Sequence, residues 1–200
     1  DFPFYRTPQS LINTISRSLP VLLLAGCFGP SAAGQYSIAI SVLVMPTVLI
    51  GMSVMNVFYP KITEVINNGE NARVLIIEAT KAMAAVGAVP FLIVLLAGPY
   101  LFRLFFGEDW NTAGFYAQWL AVWTFLQFIN KPTVSAIPPL KLQEGLLVYE
   151  ILSTGTKILA LWLGFKLFSS DIVAVALFSI VGSIAYIWLI GWVIYRSGNR

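Results

Sequence analysis

The sequence has no histidine and a single cysteine, Cys27, which lies inside an apolar run. Without histidine the chain cannot form an HExxH zinc site or a Cys–His catalytic pair, and one cysteine cannot close a disulfide within the chain. Charged residues are also scarce, at 10% of the sequence, against about 25% in an ordinary soluble domain. These absences exclude several classes of enzyme and argue against a water-soluble fold.

The sequence consists mainly of long apolar runs. Hydrophobic residues make up 58% of the chain, and the mean hydropathy is +0.81. An apolar helix of about 20 residues crosses the roughly 30 Å hydrocarbon core of a bilayer, and a helix satisfies its own backbone hydrogen bonds there. We therefore expect an all-α polytopic membrane protein with six transmembrane helices. The expected spans are about 9–28, 35–58, 82–106, 112–130, 145–168 and 172–195.

The loops predict the orientation of the chain. Residues 60–81 carry charges around an NNGEN turn, as expected of a helical hairpin outside the hydrocarbon. Lys and Arg accumulate in cytoplasmic loops, and ten of the twelve basic residues lie in loops or at span ends. Two of these ten, Arg103 and Lys166, fall on the side of the membrane opposite the chain ends. The other eight fall on the same side as the chain ends: Arg6, Lys61, Arg73, Lys81, Lys131, Lys141, Arg196 and Arg200. Both ends are therefore predicted to be cytoplasmic, and topology accounts for the net charge of +3 without a nucleic-acid partner.

Two basic residues, Arg17 and Lys157, are not explained by topology, because both are predicted near the middle of a span. A charge at the bilayer centre costs about 2.5 to 3.5 kcal/mol and usually faces a bundle interior or a water-filled cavity. Arg17 shares a helix face with Asn13, and Lys157 shares one with Glu150. Two cations beside one carboxylate predict a hydrated, cationic cavity that binds an anionic substrate.

Other interpretations of these residues stay open. Arg17 can pair with Glu150 in a structural contact between helices, and Glu150 can instead bind a cation or a proton. In the fourth span, Gln127 and Asn130 follow Trp123 at helical spacing and are candidates for sugar contacts. The tryptophans of that span can equally face lipid or neighbouring helices.

The first two spans carry a family signature. Residues 5–64 include the stretch SRSLP at 16–20, the pair FG with AGQY around the first loop, and FYPKITE at the end of the second span. This pattern resembles the bacterial polysaccharide (O-antigen type) flippases of the multidrug/oligosaccharidyl-lipid/polysaccharide exporter superfamily. Prolines inside the spans, such as Pro20, Pro46 and Pro90, agree with kinked transporter helices.

The resemblance implies one six-helix lobe of a two-lobed exporter with twelve or more helices. The sequence begins at Asp1 rather than at a methionine, so we expect it to be a piece of a longer chain. Six helices that start and end in the cytoplasm would then be the C-terminal lobe, residues 1–200, with an N-terminal lobe of the same chain as its partner. The implied function is translocation of undecaprenyl-diphosphate-linked oligosaccharide to the periplasmic leaflet of the bacterial inner membrane, for lipopolysaccharide or other surface polysaccharide. It implies neither an enzyme nor a cofactor.

The sequence leaves three alternatives to a polysaccharide flippase open. A multidrug or organic-cation antiporter of the same superfamily would favour acidic cavity residues, so the charge balance argues against it. A membrane glycosyltransferase or polymerase that uses the same carrier lipid would be expected to have a large extramembrane loop with acidic or histidine groups. A structural subunit that transports nothing is the third alternative.

Overall fold

The computed structural model describes residues 18–198, which are helical apart from short turns. The helices are α1, described from Ser18 to Phe28, α2 Pro30–Asn67, α3 Ala72–Phe106, α4 Asn111–Ile129, α5 Lys131–Ala136, α6 Gln143–Phe168 and α7 Asp171–Ser197. A single 3-10 turn, Glu108–Trp110, links α3 to α4. The predicted all-α class is confirmed for this part of the chain.

Four of the described helices, α2, α3, α6 and α7, are long and apolar enough to cross a membrane. The predicted multi-pass membrane protein is thereby confirmed. Helix α4 is the inner helix: it packs against α2, α3 and α7, and nine of its 19 residues are buried. Its remaining face carries Phe115, Trp119 and Val122, which are partly exposed.

Helices α2 and α3 continue beyond the predicted membrane boundaries. Pro46 and Pro60 both lie inside α2. Residues 60–81 consist of the adjoining ends of these two long helices around the turn at 68–71, and their position outside the hydrocarbon stays a prediction. Asn71 caps α3, because its Oδ1 accepts a hydrogen bond from Arg73 N at 3.0 Å.

Helices α4 and α5 form one kinked rod. Asn130 keeps a right-handed helical backbone between them, and its carbonyl oxygen accepts from Val134 N at 3.0 Å. Pro132 has no N–H to donate to the carbonyl of Phe128, so the helix bends at this point. The bend turns the start of α5 toward α2, with which it packs.

Close backbone contacts hold α4 against α3. A Cβ added at Gly98 would lie 2.6 Å from the carbonyl oxygen of Gly114 on the facing helix. Small residues at such crossings let membrane helices approach closely, where packing replaces the hydrophobic driving force. At the opposite end of α4 from the kink, Tyr116 donates to the Asp171 carboxylate of α7 at 2.6 Å. The inner helix is thus fixed by both packing and hydrogen bonds.

Candidate functional site

A polar cavity of about 190 Å³ lies between α4, α6 and α7, and residues of α2 and α5 close one end. Its wall includes four of the site residues that the sequence predicts, namely Gln127, Asn130, Glu150 and Lys157. The structure therefore brings these four together. Arg17 and Asn13 lie outside the described residues, and their place at the site stays a prediction.

Lys157 is the deepest charge of the cavity. It precedes the end of α6 by eleven residues, which at about 1.5 Å per residue puts it roughly 16 Å from that end, a distance of about half the thickness of a hydrocarbon core. Only 8% of the residue is exposed. Its Nζ lies 5.7 Å from the ring centroid of Trp123 and 5.8 Å from that of Phe178. The two ring faces offer partial negative charge to an ammonium group that is largely withdrawn from water.

The polar face of α6 lines the cavity from Lys157 toward the start of the helix. Glu150, Ser153, Thr154 and Lys157 all contribute to the wall, as their spacing of three and four residues requires. The Glu150 carboxylate interacts electrostatically with the Lys157 ammonium group. The cavity thus combines opposite charges on one helix face with hydroxyl groups between them.

The kink between α4 and α5 supplies the opposite wall. Asn130 is 1% exposed, and its Oδ1 has no hydrogen-bond partner among residues 18–198. A buried amide oxygen that lacks a partner costs free energy, so this atom is well suited to accept from a ligand. Lys131 also lines the wall, and its aliphatic stem packs beside Gly51 of α2, where an added Cβ would lie 3.3 Å from Lys131 Cε.

Lys131, Tyr149 and Tyr186 are cavity residues that the sequence did not predict. Lys131 was assigned to the cytoplasmic loops, where the positive-inside rule accounts for it. The one feature of the sequence that could have indicated a place for Lys131 in the cavity is the following Pro132, since a proline kink can turn a residue at a helix end toward the interior. The two tyrosines gave no signal, because aromatic residues in a span are usually packing or interfacial residues.

The aromatic residues of α4 do not line up along the cavity as a row of rings that could stack on sugars. Tyr116 is fully buried, Trp123 packs on Lys157, and Trp119 is exposed at 42%. The alternative interpretation, in which the tryptophans face lipid or neighbouring helices, describes them better. Gln127 is the residue of this face that reaches the cavity together with Asn130.

Polar groups continue along α7 beyond Lys157. The hydroxyls of Ser179 and Ser183 and the indole Nε1 of Trp123 are buried and find no hydrogen-bond partner within the described part of the chain. Gly182 lies between the two serines, and an added Cβ there would lie 3.3 Å from Lys157 Cδ. A line of polar groups thus extends from the cavity toward the start of α7.

The charges of the cavity favour an anion. Two lysines, 131 and 157, and one glutamate, 150, line it, so the described charged side chains sum to +1. Ammonium groups and amide N–H groups donate to phosphate or carboxylate oxygens, and such bonds are strengthened where water is sparse. Within residues 18–198 no group of three or more acidic or cysteine side chains could hold a metal ion.

One curated relative matches most of the chain. The lipopolysaccharide biosynthesis protein WzxC of Escherichia coli (strain K12) is 28% identical over 139 residues, which are 68% of this chain and 28% of WzxC. The chain therefore spans less than a third of the length of that relative. No solved structure matches the chain significantly.

The family assignment comes from the first half of the sequence. The model of the family described as polysaccharide biosynthesis protein matches residues 1–114, more than half of the chain. This match includes residues 5–64, on which the resemblance to polysaccharide flippases rests, and the relative named for lipopolysaccharide biosynthesis agrees with it. The chain belongs to the polysaccharide biosynthesis protein family.

Proposed function

We propose that this protein moves an undecaprenyl-diphosphate-linked oligosaccharide from the cytoplasmic to the periplasmic leaflet of the bacterial inner membrane. The observation that carries the proposal is the cationic cavity inside a bundle of membrane helices, with Lys131, Lys157 and two amides in its wall. Membership of the polysaccharide biosynthesis protein family supports a polysaccharide precursor as the substrate. The chain contributes one six-helix lobe of a two-lobed transporter.

The depth of the cavity suits a substrate that enters from the cytoplasmic leaflet. With the chain ends in the cytoplasm, the Asn130 end of the cavity faces that side, because it lies 19 residues from the start of α4, or about 28 Å. Lys157 lies near mid-membrane. A diphosphate that enters beside Lys131 meets Lys157 further along the same path, and the amides of Gln127 and Asn130 are placed to contact the first sugars.

Alternating access would be produced by movement of this lobe against a second lobe. Prolines are common places for membrane helices to bend, and the α4–α5 break at Asn130, at the cytoplasmic end of the cavity, is the bend we assign to this movement. Outward movement of a diphosphate across an inside-negative potential releases about 2.3 kcal/mol per elementary charge per 100 mV. The membrane potential can therefore contribute to export.

Transport by the intact protein in lipid vesicles tests the proposal. We expect Lys157→Ala to abolish translocation of the lipid-linked oligosaccharide and Lys157→Arg to retain part of it, because the cation is what the diphosphate needs. Lys166→Ala is the matched control, since this exposed lysine of α6 lies over Trp162 and outside the cavity. Arg17→Ala tests the second predicted cation. Normal transport by both Arg17→Ala and Lys157→Ala would refute the proposal.

Glu150 supports a second candidate function, transport of an organic cation. Its carboxylate lines the same cavity and is the group that would bind a cationic substrate. Uptake of a fluorescent organic cation by vesicles distinguishes the two functions. Uptake that depends on Glu150 but not on Lys157 would establish the cation transporter and exclude the flippase.

A further inference from the structure

A second, apolar cavity lies beside the polar one, on the outer face of α6 and α7. Its volume is about 610 Å³, roughly three times that of the polar cavity. Val148, Leu152, Ile184 and Trp188 line it, and each is more than half exposed. We call this cavity the α6–α7 groove. It opens on the surface that two membrane-spanning helices present outward.

The floor of the α6–α7 groove is a stack of three parallel rings. The ring centroids of Tyr149 and Trp188 are 6.0 Å apart and those of Trp188 and Trp192 are 5.9 Å apart, each pair with an interplanar angle of 6°. Gly145 leaves room for the last ring, because an added Cβ there would overlap the Trp192 indole. The lining of the groove is mostly apolar, so the groove offers a surface on which a flexible hydrocarbon chain can pack.

Tyr149 and Ser153 line both cavities. The polar cavity and the apolar groove are therefore neighbours along α6. A ligand that occupied both would place a charged group beside Lys157 and Lys131 and an apolar chain along Trp188. This combination fits an amphiphile with an anionic headgroup and a long hydrocarbon tail.

We propose that the α6–α7 groove binds the polyisoprenoid tail of the substrate while its diphosphate lies in the polar cavity. The inference rests on the proposed function and adds a site for the part of the substrate that does not enter water. Such a tail has a strong preference for apolar surroundings, so it must stay in contact with lipid or apolar protein throughout transport. A groove that is open to lipid and adjoins the headgroup cavity meets that requirement.

Tail-length dependence of binding tests the groove. The intact protein in lipid nanodiscs is titrated with two probes that share a diphosphate headgroup, geranyl diphosphate and a long-chain polyisoprenyl diphosphate. Hydrocarbon sheds no water when it passes from lipid to apolar protein, so any gain comes from packing on the ring stack. We expect the wild-type protein to bind the long-chain probe about tenfold more tightly than the short one when both are compared at equal mole fraction in the bilayer. In Ala185→Phe, which fills the groove, the long-chain probe should lose this advantage while geranyl diphosphate binds as before. Ala88→Phe, an exposed alanine of α3 outside both cavities, is the matched control.

The outcomes separate this proposal from the proposed function. If the wild-type protein binds neither probe, the proposed function fails. If Lys157→Ala weakens both probes but Ala185→Phe leaves the long-chain advantage intact, the headgroup site stands and the groove proposal is overturned. A photoreactive amino acid at Ile184 gives a second measurement: we expect it to crosslink the long-chain probe. A crosslink to another segment of the same protein instead would show that protein covers the groove, and would also overturn the proposal.

Discussion

Lys157 and Trp123 form a cation–π contact inside the bundle: the ammonium group of Lys157 lies 5.7 Å from the centroid of the Trp123 indole ring. The two residues belong to α6 and α4, so the contact couples the polar face of one helix to the inner helix. A cation–π pair withdrawn from water contributes up to about 2 kcal/mol. The pair therefore fixes the position of the charge as well as stabilising the bundle.

A double-mutant cycle measures this contact. Trp123→Leu, Lys157→Met and the double variant are compared by thermal unfolding of the intact protein, with the same cycle on Trp162 and Lys166 as an exposed control. We expect a coupling energy of about 1 to 2 kcal/mol for the buried pair and well under 1 kcal/mol for the exposed one. Coupling equal to that of the exposed pair would mean that the ring does not hold the cation.

Removal of the Glu150 charge is expected to strengthen anion binding. Glu150→Gln changes the sum of the charged side chains lining the cavity from +1 to +2, so the affinity for geranyl diphosphate should rise by about two- to tenfold. Glu144→Gln changes the first turn of the same helix outside the cavity, and the affinity should stay at the wild-type value. Binding that is lost in Glu150→Gln would assign the carboxylate an essential role in the site.

A side chain at Gly182 is expected to disturb the cavity. A Cβ there would lie 2.6 Å from Trp123 Cδ1 and 3.3 Å from Lys157 Cδ, so Gly182→Ala forces the ring and the lysine to move. We expect a loss of about 1 to 3 kcal/mol in unfolding free energy. Gly191→Ala is the control on the same helix: no atom lies within 4 Å of the added Cβ, and the gain in helix propensity should stabilise by up to about 1 kcal/mol. Equal unfolding free energies for Gly182→Ala and Gly191→Ala would contradict this packing.

Straightening of the α4–α5 kink is expected to impair transport without harming stability. Pro132→Ala restores an N–H that can donate to the carbonyl of Phe128, and it would turn Asn130 and Lys131 away from the cavity. Translocation should fall about tenfold or more, while the unfolding temperature stays equal or rises. Pro90→Ala in α3 removes an interior helical proline outside the polar cavity and should leave transport unchanged. Transport at the wild-type rate by Pro132→Ala would show that transport does not require the kink.

Composition was sufficient to predict an all-α membrane protein, because few other folds accept so little charge. It was less informative about where helices end. Residues 60–81 are polar, which indicates where the chain leaves the hydrocarbon, but polar residues such as Lys61 and Glu78 also favour helices. Helices α2 and α3 accordingly run through residues 60–67 and 72–81 without a break, and the place where the chain leaves the hydrocarbon stays a prediction.

Four cavity residues could be predicted because polar side chains inside apolar spans have few roles other than the bundle interior. Lys131 could not, since the direction of its side chain depends on the kink and on the space beside Gly51 of α2. That space is a long-range packing property. The α6–α7 groove was equally unpredictable, because its rings come from two helices and their alignment depends on how α6 and α7 pack.

Helices α2 and α3 have 38 and 35 residues, so each is more than 50 Å long at about 1.5 Å per residue. The hydrocarbon core is only about 30 Å thick, so we expect the joined ends of α2 and α3 around Asn68 to project from the membrane and to act as a mechanical lever for the bundle. A tilt of about 10° would displace one end of such a helix by roughly 10 Å relative to the other. Spin labels near Asn68, at the tip of the lever, would report rocking of the transmembrane bundle as a change in distance to a fixed point.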